Sequence, residues 1–416
     1  MRFSVTKLAQ ALVLPFKPTP TGNLTLSSMD RYPRGCRYLY DSIHVFGHGE
    51  EPAKVIREAL SRALVPCYPV AGQIVDSDQD EPEVACTGDG VWFVEASANC
   101  NLADVNHLER PLMIPKQVLL PCPSPETKER DVIFLMQVTG FTCGGFALGI
   151  RFNHAFFDGT GVGQFLKAVA EIAKGLARPT VEPIWCREAF PNPPRLRPYN
   201  EPKLLITTPL ELFVVDLSPD RVNQMKSKFT KETGRICTKF EVLTAMVWQS
   251  LIRAINVDPH VDVCLIFTTS VRHPMQQILP PEGGYYGNCM YRATVTATRG
   301  KIVNASLVEI VSLIQDAKEE LMSRFSKWLM GDPAADPFKE PLRCGSLWVT
   351  DWTRVGFFEL DNGWGGPVHV VPPSDGELVP LCFLLRPPAA KQSVRLMTRC
   401  IAKEHLPRFH DQMNSI

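Results

Sequence analysis

The sequence predicts an α/β fold in two domains. Strands alternate with helices in both halves, a proline-crowded stretch separates the halves, and the chain is long enough to build two cores. Of its 416 residues, 45% are hydrophobic and 21% charged, a composition that can bury a large interior.

Taken in order, the elements carry their own signals. Pro52 opens a helix in which Ile56, Leu60 and Leu64 recur at i+4, and PCYPVAG ends it. Phe146, Leu148, Ile150, Phe152 and His154 fall on one side of a period-two pattern, so this stretch is a strand with His154 near its end. Gly159 and Gly161 break the strand. Val162, Phe165, Leu166, Val169 and Ala173 then form the buried face of a helix closed by Gly175. From Pro179 to Leu204 repeated prolines block helices and central strands, so the chain is expected to run extended. The boundary is placed there: an N-terminal domain over 1–178, a crossover over 179–204 and a C-terminal domain over 205–416. Beyond it, ELFVVDL is a strand, and Ser218 then Pro219 read as an N-cap and a first-turn proline. Thr238 and Glu241 have capping-box spacing ahead of FEVLTAMVWQSLIRAI, where Leu243, Val247 and Leu251 form one apolar stripe and Met246 and Trp248 read as core. VCLIFTTS, VPLCFLLR and SVRLMTRCIA complete the strands, and GDPAADPFKEP reads as a loop. No internal repeat or low-complexity tract is present.

Composition narrows the function. Lys plus Arg and Asp plus Glu number 44 each, so no long-range field draws in a nucleic-acid backbone or an anionic bilayer, and an anionic ligand needs a local cluster of donors. The opening MRFSVTKLAQALVLPF has Lys7 and Gln10 inside its only candidate signal core, and no run of 18 apolar residues occurs anywhere. The expectation is a soluble, cytoplasmic protein. Thirteen scattered cysteines without a C-x-x-C pair fit neither a zinc site nor a disulfide framework, so no metal is expected and most cysteines read as small buried hydrophobes.

A titratable group at a strand end, just ahead of a helix N-terminus, is where an α/β scaffold commonly presents chemistry. His154 and Asp158 stand there, although with nine histidines their spacing alone fits a core histidine satisfied by a nearby carboxylate equally well. GTGVG could be read as a phosphate loop, but the dinucleotide pattern needs a third glycine where Gln164 sits. The G-x-S-x-G elbow of serine hydrolases is absent.

HAFFDG, together with LDNGWGGP at 360–367, resembles the paired His-x-x-x-Asp-Gly and Asp-Phe-Gly-Trp-Gly signatures of the plant BAHD acyltransferase family. ALSRALVPCYPVAGQI, QVTGFTCGGFALGIRFNHAFFDG, FEVLTAMVWQSLIRA and GGYYGN follow the family's order, so the likeness covers nearly the whole chain. Within the family it looks nearest to benzyl alcohol benzoyltransferases, taxane acyltransferases and the hydroxycinnamoyl transferases that acylate monolignols. Two departures stand out. Asn362 replaces the family's phenylalanine, and Ser270-Val271-Arg272 replaces its Asp-x-Arg.

The resemblance implies two chloramphenicol-acetyltransferase-like domains with a solvent tunnel between them. Acyl-CoA enters as co-substrate rather than as a tightly bound cofactor, a small alcohol is the acceptor, and the chain acts as a monomer of plant secondary metabolism. His154 is then the general base, since an imidazole of pKa about 6.5 is largely neutral at cytosolic pH and can take the hydroxyl proton without a covalent acyl-enzyme. Asp158 is implied to pair with Arg272, with Gly159, Gly363 and Gly365 supporting the loops. Asp361 is implied as catalytic in some family assignments and as a loop-fixing ion pair in the alternative. Trp364 and Asn288 are candidates for an oxyanion site or its wall, and the capped helix start at Thr238 and Lys239 for the CoA phosphates. The preferred donor is hydroxycinnamoyl-CoA or benzoyl-CoA. An acetyl-CoA-dependent alcohol or terpenoid acetyltransferase is the alternative, and a non-catalytic CoA-ester-binding member a second one. A peptide-synthetase condensation domain is disfavoured because Asn153 stands where its second histidine belongs.

Overall fold

The computed structural model describes residues 3–31, 37–77, 81–123, 127–190, 208–276, 278–279, 284–337, 345–373, 380–388 and 391–415. Contacts divide the chain into two units. The first comprises Met1–Asn192, Arg272–Cys289 and Thr353–Pro373, and the second Pro193–Val271, Met290–Trp352 and Ser374–Ile416. Thus 272–289 and 353–373, both C-terminal to the crossover, cluster with the N-terminal unit, whereas the sequence reading put everything after 204 in the other domain. The reason is pairing: His369–Val371 is an antiparallel edge strand on Leu39–Phe46, and Gly284–Tyr285 pairs in parallel with Pro183–Ile184. Most of the expected crossover, 191–204, lies outside the described residues.

Among the described residues, the main sheet of the first unit runs Val5–Val13, Val91–Ala98, Phe134–Gly140, Phe146–Asn153, Leu39–Phe46, His369–Val371. Val91–Ala98 and Phe134–Gly140 are parallel, and the other neighbours antiparallel. The strand carrying the histidine is therefore central, with Phe134–Gly140 on one side and Leu39–Phe46 on the other. Its second face is also covered. Ala147 packs with Ile43, Val45 and Leu119, and a Cβ on Gly149 would meet the Leu119 carbonyl oxygen at 2.1 Å, so the small residues there admit a loop. The two helices Pro52–Ala63 and Gly159–Ala173 pack on one another, and Phe165 of the second meets Phe134 edge-on at 5.0 Å.

The second unit repeats the plan with Leu210–Leu217, Val394–Ala402, Leu381–Leu385, Ser346–Asp351, Asp262–Ser270 and Met290–Thr298 in that order. Ser218 caps Pro219–Thr233, and Thr238 and Glu241 form a complete capping box on Lys239–Ala254. Met246 and Trp248 are fully buried, as their place on that helix predicts. GDPAADPFKEP holds a single 3-10 turn over Pro333–Ala335, and 338–341 lie outside the described residues. Among the described residues no helix is long and apolar enough to cross a membrane.

Candidate active site

The strand Phe146–Asn153 ends on Asn153, whose buried side chain shapes the next few residues. Its Nδ2 donates to the carbonyls of Arg130 at 3.1 Å and Val132 at 3.0 Å, and its Oδ1 accepts from the Ala155 N–H at 3.1 Å. Its own carbonyl accepts from the N–H groups of Phe156 and Phe157. A tight turn results, and His154 sits at its head. The His154 N–H donates to Tyr38 O at 3.3 Å, and its carbonyl accepts from Asn288 Nδ2 at 2.8 Å. The ring lies edge-on to Tyr40, with centroids 4.8 Å apart, and the residue remains partly exposed. Burial of the ring lowers its pKa below the ordinary histidine value, against smaller opposing effects from Asp158 and Asn288, so it is neutral near pH 7.

Asp158 is the N-cap of Gly159–Ala173 and is fully buried. Its Oδ1 accepts from the Gly161 N–H at 2.8 Å and Arg272 Nη2 at 2.7 Å; its Oδ2 accepts from Arg272 Nη1 at 2.8 Å and the Cys289 N–H at 3.0 Å. None of these donors is the His154 ring. Burial alone pushes the carboxyl up, yet the bidentate Arg272 and the two backbone donors outweigh it and hold it below the usual range. Arg272 also donates from Nη2 to the Gly287 carbonyl at 2.8 Å. The turn is thus clamped through a buried carboxylate whose bonds go to Arg272 and backbone N–H groups.

Two glycines in GTGVG serve packing. A Cβ on Gly161 would stand 1.9 Å from the Tyr286 carbonyl oxygen, and one on Gly163 1.9 Å from that of Val355, whereas one on Gly159 would be 3.1 Å from a Val355 methyl. Of the three, Gly159 is the least demanding, although it is the one the motif singles out.

Asn288 is buried, and its Nδ2 donates to Asp30 Oδ1 at 3.0 Å as well as to the His154 carbonyl. Its amide nitrogen is therefore engaged in supporting the turn, and its side chain also hydrogen-bonds the imidazole. Asp30 is itself paired with Arg187, at 2.9 Å, with side chains 0% and 1% exposed. Sequence reasoning missed both: Asp30 carries no motif signal, and Arg187 lies in the proline-rich stretch. Cys289, beside the Asp158 cluster, is no thiolate nucleophile, because burial pushes its thiol up to about 12.

Trp364 and Asp361 lie apart from His154. Trp364 packs edge-on against Phe146 at 5.7 Å, at the opposite end of the histidine's own strand, roughly 25 Å away at about 3.3 Å per residue. That separation rules it out as an oxyanion donor at His154. Asp361 accepts from Lys174 at 2.7 Å and from the N–H groups of Gly363 and Gly365 at 2.9 Å each. Lys174 caps the far end of the helix that Asp158 begins, about 22 Å along its axis, so Asp361 ties a loop and does not reach the imidazole. Gly363 and Gly365 have φ of +103° and +83°, which suits glycine in that loop. Asn362, between Asp361 and Gly363, is buried, and its Nδ2 finds no partner among the described residues. Thr238 and Lys239 start their helix in the second unit, both exposed, with Thr238 spent on the capping box.

A family model described as the Transferase family matches residues 3–416. The chain is 46% identical over 434 residues to a myricetin 3-O-glucosyl 1,2-rhamnoside 6'-O-caffeoyltransferase of Crocosmia x crocosmiiflora, covering 100% of this chain and 99% of that protein. Vinorine synthase shares the fold with a TM-score of 0.72 at 17% identity, over 97% of this chain and 96% of that one. TRI101 of F. graminearum, complexed with coenzyme A and deoxynivalenol, also gives 0.72 at 15% identity, over 93% and 96%. Both likenesses are to mixed α/β folds of two domains.

Proposed function

The chain belongs to the Transferase family, the BAHD acyl-CoA-dependent acyltransferases, and from that premise we propose that it moves a hydroxycinnamoyl group, p-coumaroyl or caffeoyl, from coenzyme A to the hydroxyl of a small phenylpropanoid alcohol such as a monolignol. The observation that carries the mechanism is a neutral, partly exposed imidazole at a strand end whose acidic neighbour is turned away to an arginine. An imidazole with a free ring nitrogen takes the hydroxyl proton as the oxygen attacks the thioester carbonyl. The tetrahedral intermediate collapses by breaking the C–S bond, and the imidazolium returns its proton to the CoA thiolate. No acyl-enzyme forms in this reading, in keeping with the protonated Cys289. Asp158 and Arg272 aim the turn and take no part in proton transfer, and Asp361 holds its own loop. The exposed helix start at Thr238 and Lys239 is the proposed contact for the CoA phosphates, so Lys239→Ala should raise KM for the thioester and spare kcat.

A second acceptor is favoured by a specific likeness. The Crocosmia relative is named as a caffeoyltransferase of a flavonol glycoside, which makes a sugar hydroxyl the competing target. In both readings the enzyme works as a cytoplasmic monomer.

The test is a competition assay. p-Coumaroyl-, caffeoyl-, benzoyl- and acetyl-CoA are mixed with coniferyl alcohol, a flavonol 3-O-glucoside and aliphatic alcohols, with free thiol followed in time and products read by mass. A hydroxycinnamoyl ester as the main product, lost in His154→Ala, is the expected result. Preferential acetyl or benzoyl transfer would overturn the donor class, and thiol release unchanged in His154→Ala would overturn the mechanism.

A further inference from the structure

The turn His154–Phe157 leaves the sheet before the helix begins, so its carbonyls have no ladder partner and need donors from elsewhere. Two are supplied by side chains. Asn288 Nδ2 donates to the His154 carbonyl at 2.8 Å, and Arg187 Nη2 donates to the Phe156 carbonyl at 2.9 Å. Both donors are held by one carboxylate. Asp30 Oδ2 accepts from Arg187 Nε at 2.9 Å, and Asp30 Oδ1 accepts from the Asn288 N–H at 2.9 Å and from its Nδ2 at 3.0 Å. Ser27 donates from its N–H at 3.0 Å and its hydroxyl at 2.8 Å to fix Asp30 in turn. The Arg187 guanidinium also lies 4.5 Å from the centre of the Phe156 ring, so the same turn is gripped by a hydrogen bond and by a cation–π contact.

We propose that Asp30, Arg187 and Asn288 form a positioning unit that sets the orientation of His154 by holding its turn, in addition to the Asp158–Arg272 pair. The proposal rests on the reading of His154 as the general base. A buried ion pair of this kind stabilises a fold little, and often less than apolar residues of similar volume. Arg187 bears the further cost of a buried Nη1 that has no partner among the described residues. Holding two carbonyls of one turn accounts for that. The segment around Asn288 serves both clamps, since the Asn288 N–H binds Asp30 while the next N–H, of Cys289, binds Asp158. Three positions separated by up to 258 residues in sequence thus converge on the base.

Wild type, His154→Ala, Asn288→Ala and Arg187→Lys are compared with p-coumaroyl-CoA and coniferyl alcohol, or with the thioester–alcohol pair that turned over fastest in the competition assay. Each variant is also followed by thermal melting and by deuterium uptake of the peptide spanning 154–158. Misplacement of a reacting group by about 1 Å costs on the order of 10²-fold, so Asn288→Ala should lower kcat by about 10- to 100-fold with KM for the thioester within about threefold. It should also speed deuterium uptake in that peptide while melting stays cooperative. Arg187→Lys, which keeps the charge for Asp30 but loses the donor to Phe156, should move kcat and uptake the same way and stands in if Asn288→Ala does not fold. A purely structural role would lower the yield of folded protein and leave kcat per folded molecule alone. Wild-type kcat and uptake in either folded variant, with His154→Ala inactive, overturns the positioning unit. Full activity in His154→Ala, or no turnover of any thioester by wild type, overturns the underlying reading and the unit with it.

Discussion

Replacing Asp158 by alanine removes four hydrogen bonds in one step: two from Arg272, one from the Gly161 N–H and one from the Cys289 N–H. Arg272 is then left with a largely buried charge and no carboxylate from this cluster. Breaking a buried pair by deleting one partner costs roughly 3–5 kcal/mol, and loss of an N-cap adds about 1 kcal/mol. The total, about 4–6 kcal/mol, is a large fraction of the roughly 5–15 kcal/mol that holds a native protein. At about 2–4 °C per kcal/mol for a unit of this size, the melting temperature should fall by roughly 8–24 °C. Asp158→Asn keeps the capping oxygen and should recover about 1 kcal/mol of the loss. The pH dependence tracks the same pair. Because Arg272 holds the carboxyl below its unfolded value, its contribution is fully present above about pH 4 and is lost as pH falls through the lower folded pKa. Differential scanning fluorimetry of the three proteins at pH 7, with thiol release measured alongside, reads the loss, and melting of the wild type over an acid pH series reads the pH dependence. An alanine variant melting within about 3 °C of wild type would refute the claim that this ion pair builds the turn.

Further outcomes test the neighbouring assignments. His154→Ala removes a partly exposed ring and keeps the bonds of its main-chain N–H and carbonyl, so it should melt within about 3 °C of wild type while losing about 10²- to 10⁴-fold in rate. The acid limb of kcat/KM should lie below pH 6.5, because burial lowers the imidazole pKa; a limb at or above 6.5 contradicts the burial argument. Lys174→Met breaks an exposed pair worth under about 1 kcal/mol, and with Asp361 far from the imidazole, kcat should stay within about twofold; a drop of about 100-fold would restore Asp361 to the chemistry. Asn362→Val replaces a buried amide whose nitrogen lacks a partner among the described residues and should raise the melting temperature; a fall would show that the amide is satisfied.

Local structure around the base was legible because it is written in neighbouring residues. Alternation of large apolar side chains marked the strand, the i+3/i+4 stripe after Gly159 marked the helix, and Ser218 and Thr238 announced their helices by cap spacing alone. Pairing of Asp158 with Arg272 came only through likeness to a family, since 114 residues separate the two and nothing in either neighbourhood names the other. The Trp364 segment shows the opposite failure. Its motif was plain, but a motif carries no coordinates, and the loop lies against Phe146 at the far end of the strand.

By itself, then, the sequence determined the α/β class, the order of most elements, the family and which histidine is proposed as the base, because periodicity, capping and motif spacing are properties of contiguous residues. Tertiary structure alone decided what stands behind that base. Asp30, Arg187 and Asn288 meet by the closure of segments distant in the chain, and a buried carboxylate collects its donors by three-dimensional proximity, which no local pattern records.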